Sequence, residues 1–112
     1  MEDEKDYTVS HEFFIAGVQH HRINDVLHKM EEGNNLLLVP EPTNPYDPNA
    51  VRIEYATFEE QTMIGYVPKK FSSEVSAAIV IGKPLECVVT LLNKSAKPWE
   101  MCKVEIREVN EG

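Results

Sequence analysis

The residues best equipped for chemistry stand in one run, Pro40-Glu41-Pro42-Thr43-Asn44-Pro45-Tyr46-Asp47-Pro48-Asn49-Ala50-Val51. Its four prolines fix φ, and Asn44, Asp47 and Asn49 carry side chains that bond nearby backbone groups, so a rigid, non-repetitive loop is expected. Two readings of that loop stand side by side. Either the polar residues only cap turns, or they hold an amide, an aromatic face and a carboxylate in place for a ligand. The chemistry open to such a set is recognition by stacking and hydrogen bonding rather than bond cleavage. Further along, Ile64-Gly65-Tyr66-Val67-Pro68 is followed by Lys69 and Lys70, which add a second aromatic and two cations.

Two other groupings invite a catalytic or metal reading. His20 and His21 could be joined by Cys87 and Cys102 in a zinc site. Against this, neighbouring residues on a strand face opposite ways and the cysteines lack C-x₂-C pairing. A Cys nucleophile with a His base is disfavoured because both cysteines fall within strand patterns, where thiols pack rather than react. Buried free thiols are expected, with a disulfide as the residual alternative. No glycine-rich phosphate-binding loop is present. The chain is therefore expected to have no metal, no cofactor and no catalytic centre. Any ATP hydrolysis in its pathway must come from another chain.

Elements that would position these residues can be read from periodicity. Residues 1–9 are polar and charged without a period and are expected to form a disordered acidic tail, with order beginning near Ser10 in a single domain over 10–112. Residues 11–18 are aromatic and apolar on both faces, which suits a central strand, with Gly17 marking a bulge or a close backbone approach. Ile23, Val26, Leu27 and Met30 form one helical stripe that stops near Gly33. Leu36-Leu37-Leu38-Val39 reads as a buried strand between turns. Val51, Ile53 and Tyr55 alternate along the next strand, Glu59-Glu60-Gln61 supply a hairpin loop, and residues 63–67 return, ended by Pro68. Phe71, Val75, Ala78 and Ile79 predict a helix over about residues 70–81, stopped by Gly82 and Pro84. Strands follow over 85–91 and 103–107, separated by a loop with the only tryptophan, Trp99, either folded onto the core or offered to a partner. About six strands, two short α-helices and no βαβ rhythm predict a mainly β fold, a small closed or partly open OB-like barrel.

At 112 residues and 12.8 kDa the chain suits one core. No apolar run approaches the roughly 18 residues of a membrane span, and the acidic start lacks the charge pattern of a secretory signal, so a cytoplasmic protein without membrane contact is expected. The formal net charge of −8 opposes phosphate binding. Much of it lies at the ends, with four acids against one lysine in residues 1–10 and three acids against one arginine in residues 105–112. Lys69 and Lys70, and the set Lys94, Lys97 and Lys103, could form a local basic face.

The residues Ala16-Gly17-Val18-Gln19-His20-His21, the run Asn44-Pro45-Tyr46-Asp47-Pro48-Asn49-Ala50-Val51, and Ile64-Gly65-Tyr66-Val67-Pro68 together resemble the HIRAN domains. These occur in some DNA-repair helicase-like ATPases and as free-standing bacterial and phage proteins. The resemblance runs from about Phe13 to Leu92. It implies an OB-like barrel with a pocket for the 3′ end of single-stranded DNA, acting with a helicase or nuclease on a separate chain. On this reading Asp47 corresponds to the carboxylate that accepts the terminal 3′-hydroxyl, Tyr46 to the neighbouring aromatic, and Asn44 to a polar contact with the end nucleotide. The chain departs from the repair members at three places. Thr43 stands where a second Asn is common. Gln19, His20 and His21 replace a basic residue and two tyrosines, and Tyr66 replaces a phosphate-contacting His, with Lys69 and Lys70 near enough to compensate as point charges. The expected interface is thus Gln19, His20, His21, Asn44, Tyr46, Asp47, Tyr66, Lys69 and Lys70. The competing reading keeps the fold as a protein-interaction module without DNA binding, which the net charge and the lost basic position favour.

Overall fold

Alternating apolar side chains drive the chain into six strands: β1 (Tyr7–Phe14), β2 (Asn35–Pro40), β3 (Val51–Ala56), β4 (Gln61–Tyr66), β5 (Leu85–Leu92) and β6 (Cys102–Val109). Two helices interrupt them, α1 (Ile23–Val26) and α2 (Lys69–Val80). The structure is a computed structural model that describes residues 6–110. All pairings are antiparallel, in the order β1-β6-β5-β2-β3-β4. Beyond the end of β1, Ala16 and Tyr66 exchange both backbone hydrogen bonds at 2.9 Å, joining the first strand of the order to the last. That bridge closes the sheet into the mainly β, OB-like barrel expected from the strand pattern.

Closure depends on Gly65. A Cβ there would lie 2.5 Å from Ile15 Cγ2 and 2.6 Å from the Ala16 carbonyl oxygen, so only glycine lets the two segments meet. Gly17, expected to mark a bulge or a close backbone approach, has a different role: at φ 72° it takes the left-handed conformation that turns the chain into a 3-10 turn over Val18–His20. His20 and His21 therefore do not alternate along a strand. His20 ends the turn and His21 follows it in extended conformation.

The barrel interior is filled by Phe13, Ile15, Ile53, Ile64, Val89, Val104 and Ile106, with Val18, Ile23, Val26 and Met30 covering one end. α2 lies against the barrel through buried Val75, with Phe71 and Ile79 partly buried beside it. The stripe of Ile23, Val26, Leu27 and Met30 is core-facing as expected, but only its first turn is α-helical, and Leu27–Lys29 tightens to 3-10.

Four further expectations change. β1 starts at Tyr7, ahead of Ser10, because β6 runs on to Val109 and its backbone pairs Tyr7 with Val109 and Thr8 with Glu108. Residues 1–5 of the expected tail lie outside the described residues. β1 is not flanked on both sides along its length: it pairs with β6 and reaches β4 only through the Ala16 bridge. In β2 only Leu36 is buried, and Leu37 is exposed, because the strand alternates about the barrel wall. Glu54, which the alternation of Val51, Ile53 and Tyr55 would turn outward from β3, is buried, its carboxylate taking hydrogen bonds from Arg52 and Gln61.

Candidate nucleic-acid interface

A cleft of about 330 Å³ opens beside the bridge that closes the barrel, lined by Ala16, Asn44, Tyr46, Asp47, Tyr66 and Lys69 together with Ala50 and Val67. Three segments converge there: the end of the first strand segment, the proline-rich loop, and the passage from β4 into α2. Five of the nine expected interface residues thus share one wall. His21 stands next to it, its ring edge-on to the Tyr66 ring at 5.5 Å. Gln19 and His20 are exposed on the 3-10 turn and Lys70 on α2, where its ammonium sits 5.1 Å from the Phe71 ring, and none of these three lines the cleft. A second concavity of about 350 Å³ lies between α2 and the β1–β6–β5 wall, lined in part by His11, Glu74, Lys83 and Glu108. It has a hydrogen bond between His11 Nε2 and Glu74 Oε1 at 2.8 Å, but among the described residues lining it no exposed Phe, Tyr or Trp ring.

The loop is built from its own side chains. Asn44 Oδ1 accepts the backbone N–H of Tyr46 at 2.8 Å and of Asp47 at 3.0 Å. Asp47 Oδ1 accepts the N–H of Asn49 at 2.9 Å, and its Oδ2 accepts the Ser72 hydroxyl of α2 at 2.8 Å. Asp47 therefore does cap its turn and also pins the loop to α2. Each oxygen of an ionised carboxylate still has a lone pair to spare, so capping leaves room for a ligand donor. Tyr46 is left 88% exposed, its ring offered rather than packed.

Behind the wall lies a polar network the sequence reading did not single out. Glu41 Oε1 accepts the Tyr66 hydroxyl at 2.8 Å and Asn44 Nδ2 at 2.9 Å, while Oε2 faces Arg52 Nη1 at 3.3 Å. Arg52 also binds Glu54 at 2.5 Å. Burial pushes the Glu41 carboxyl up, but the hydrogen bonds from Asn44, Tyr66 and Arg52 together outweigh it and hold the group below its ordinary value. Burial and the Glu41 carboxylate raise the Tyr66 phenol. Burial, helped by neighbouring His20, lowers His21 although Glu41 pulls the other way. His21 is thus a weaker cation near neutrality than an ordinary histidine. Glu41 carried one available signal, its place between Pro40 and Pro42. Ser72 carried none, because its partner comes from the far loop.

Both cysteines are free and buried. Burial pushes the Cys87 thiol far up and Cys102 up to about 12, so neither forms a thiolate nucleophile near neutral pH. Among the described residues, no three His, Cys, Asp or Glu side chains are grouped to hold a metal ion. No described helix is long and apolar enough to cross a membrane. Trp99 is 55% exposed on a 3-10 turn over Pro98–Glu100 that packs by Val18–His20, while Met101 takes the buried place beside it.

A closed antiparallel barrel with a polar, aromatic cleft at its seam is a scaffold of the kind that binding modules use. The HIRAN domain family profile matches residues 8–106, and the chain belongs to that family. HIRAN is a binding domain associated with nucleic acids and found in nuclease-like and helicase-like proteins. Two solved structures share the fold. A protein from Lactobacillus plantarum matches with TM-score 0.77 at 20% identity, covering 94% of this chain and 97% of that one. The HIRAN domain of human HLTF matches with TM-score 0.68 at 14% identity, covering 94% and 79%. In sequence, a Fanconi-associated nuclease 1 homolog of Oryza sativa subsp. japonica is 32% identical over 59 residues, 53% of this chain. The match spans 6% of that relative's length.

Proposed function

We propose that this chain is a nucleic-acid-end-binding module that receives the 3′-terminal nucleotide of single-stranded DNA in the cleft between Tyr46 and Tyr66. The observation that carries this reading is the convergence of Asn44, Tyr46, Asp47, Tyr66 and Lys69, from separate segments, on one small cleft. Its volume lies at the lower end of ligand sites, which run from about 300 to 1,000 Å³, and suits one nucleotide better than a duplex end. Tyr46 offers a free ring face for a base. Asp47 has an acceptor for a sugar hydroxyl, and Lys69 and Lys70 supply charge for the phosphate that follows. The module has no chemistry of its own in this proposal and works inside the cell with a nuclease or helicase on another chain. Fluorescence anisotropy with labelled single strands ending in 3′-hydroxyl or 3′-phosphate tests it: the hydroxyl end binds more tightly, and equal binding refutes end recognition.

A second reading, a protein-interaction module, is favoured by the net charge of −8 and by Val80 and Ile81, which are 77% and 70% exposed at the end of α2. Absence of binding to any strand at low salt would establish it over the first.

A further inference from the structure

The hydrogen-bond direction in the Glu41 network determines what the cleft wall offers. An ionised carboxylate only accepts, so the 2.8 Å contact places the Tyr66 hydroxyl hydrogen on Glu41 Oε1 and turns it away from the cleft. One Asn44 amide hydrogen is held on the same oxygen, and Asn44 Oδ1 is already occupied by two backbone N–H groups. Tyr66 therefore has no hydrogen for the cleft, only oxygen lone pairs that it shares with the nearby Asn44 amide, and Asp47 on the same wall shows another acceptor. Charge points the same way: Glu41 and Glu54 share the single guanidinium of Arg52, leaving the network net negative behind a wall on which Lys69 is the only cation among the described residues.

We propose that Glu41 is the specificity-determining positioning residue of the cleft. By holding the Tyr66 hydroxyl hydrogen, it makes the wall accept hydrogen bonds, so that a strand end enters through hydroxyl donors and one ending in phosphate is rejected. This rests on the end-binding reading and adds to it. Glu41 touches no ligand and acts through Tyr66 and through its charge.

Two variants of the full chain test it, Glu41→Gln and Tyr66→Phe, each measured with strands ending in 3′-hydroxyl and 3′-phosphate. Glu41→Gln removes one charge near the wall, and the preference for hydroxyl over phosphate should fall by about 3- to 10-fold, chiefly because the phosphate end binds better. Tyr66→Phe removes the acceptor, so the hydroxyl end should weaken by about 3- to 10-fold while the phosphate end is unchanged. A readout that a merely structural role would not move is the ionisation of Tyr66, followed by ultraviolet absorbance and assigned by its loss in Tyr66→Phe. The charged and titratable groups around that phenol are Glu41, Arg52 and His21. Glu41→Gln should move its ionisation to lower pH.

If wild type discriminates the two ends and both variants keep that discrimination, the role of Glu41 is wrong and end binding stands. A larger loss at the phosphate end than at the hydroxyl end in Tyr66→Phe would also overturn it, since the hydroxyl would then be a phosphate donor. Should Glu41→Gln fail to fold, Tyr66→Phe decides alone by the same two comparisons. If wild type binds both ends alike, or neither, the end-binding reading falls and the proposal with it.

Discussion

Asp47 shows how one side chain can serve two purposes that are separable by experiment. It caps the Asn49 amide and holds Ser72 of α2, yet it also lines the cleft. Asp47→Asn keeps one acceptor oxygen and loses the other, so it should cost stability of about 0.5 to 1.5 kcal/mol, the usual net worth of one hydrogen bond. It should also shrink the difference between 3′-hydroxyl and 3′-phosphate strands. Ser72→Ala should cost stability through the same contact, while that difference stays. If both variants lower the melting temperature and neither changes end preference, Asp47 is only a cap. His21 makes a pH prediction. Burial lowers its folded pKa from the unfolded value near 6.5, so between those two values the unfolded state binds more protons. Its contribution to stability is therefore intact above about pH 6.5 and is lost as pH falls through the folded value. Any gain in DNA affinity from an imidazolium at His21 begins as pH falls through the value the group has beside phosphate and levels off only below its lowered free value. Thermal melts and anisotropy from pH 8 to 5, with His21→Gln as reference, check both statements.

At the level of elements, the seam between Ala16 and Tyr66 matters more than any single strand. Gly65→Ala would drive a methyl into the Ala16 carbonyl oxygen, a backbone atom that cannot swing aside. Overpacking of this kind costs about 1 to 3 kcal/mol, and here it would also displace Tyr66 from the cleft, so stability and end binding should fall together. A variant with unchanged melting and unchanged binding would show that the seam is dispensable. In β2 the expected cost now falls on Leu36. Leu36→Ala should destabilise by about 2 to 5 kcal/mol, whereas Leu38→Ala, only partly buried, should cost clearly less. Denaturant midpoints for the two variants would settle the order.

For the whole molecule, a net charge of −8 and a cleft with one lining cation mean that few phosphates can be neutralised. If Lys69 and Lys70 are the two phosphate contacts, the logarithm of affinity should fall with the logarithm of salt at a slope of about −1.4 for a single strand. Lys69→Gln should bring that slope down by about 0.7. A slope several times steeper would place the main contact elsewhere, with the Lys94, Lys97 and Lys103 face the first alternative.

Much of this architecture could be read from local pattern, because alternation and helical spacing report which side of an element faces the core. Val51, Ile53, Val104 and Ile106 announce their strands in this way, and Phe71, Val75 and Ile79 announce α2. The Asn44 to Val51 run announced a rigid loop, since proline and Asn act on their immediate neighbours. What local pattern could not determine is anything that joins distant segments. Glu54 is buried because Arg52 and Gln61 reach it, Ser72 is buried against Asp47 from another element, and β1 lengthens because β6 gives it partners. Glu41 belongs to the same class: its residue type is ordinary for a surface loop, and only the folded chain brings Tyr66, Asn44 and Arg52 onto its two oxygens. A carboxylate's role depends on which donors surround it, and those donors come from segments that meet only when the barrel closes.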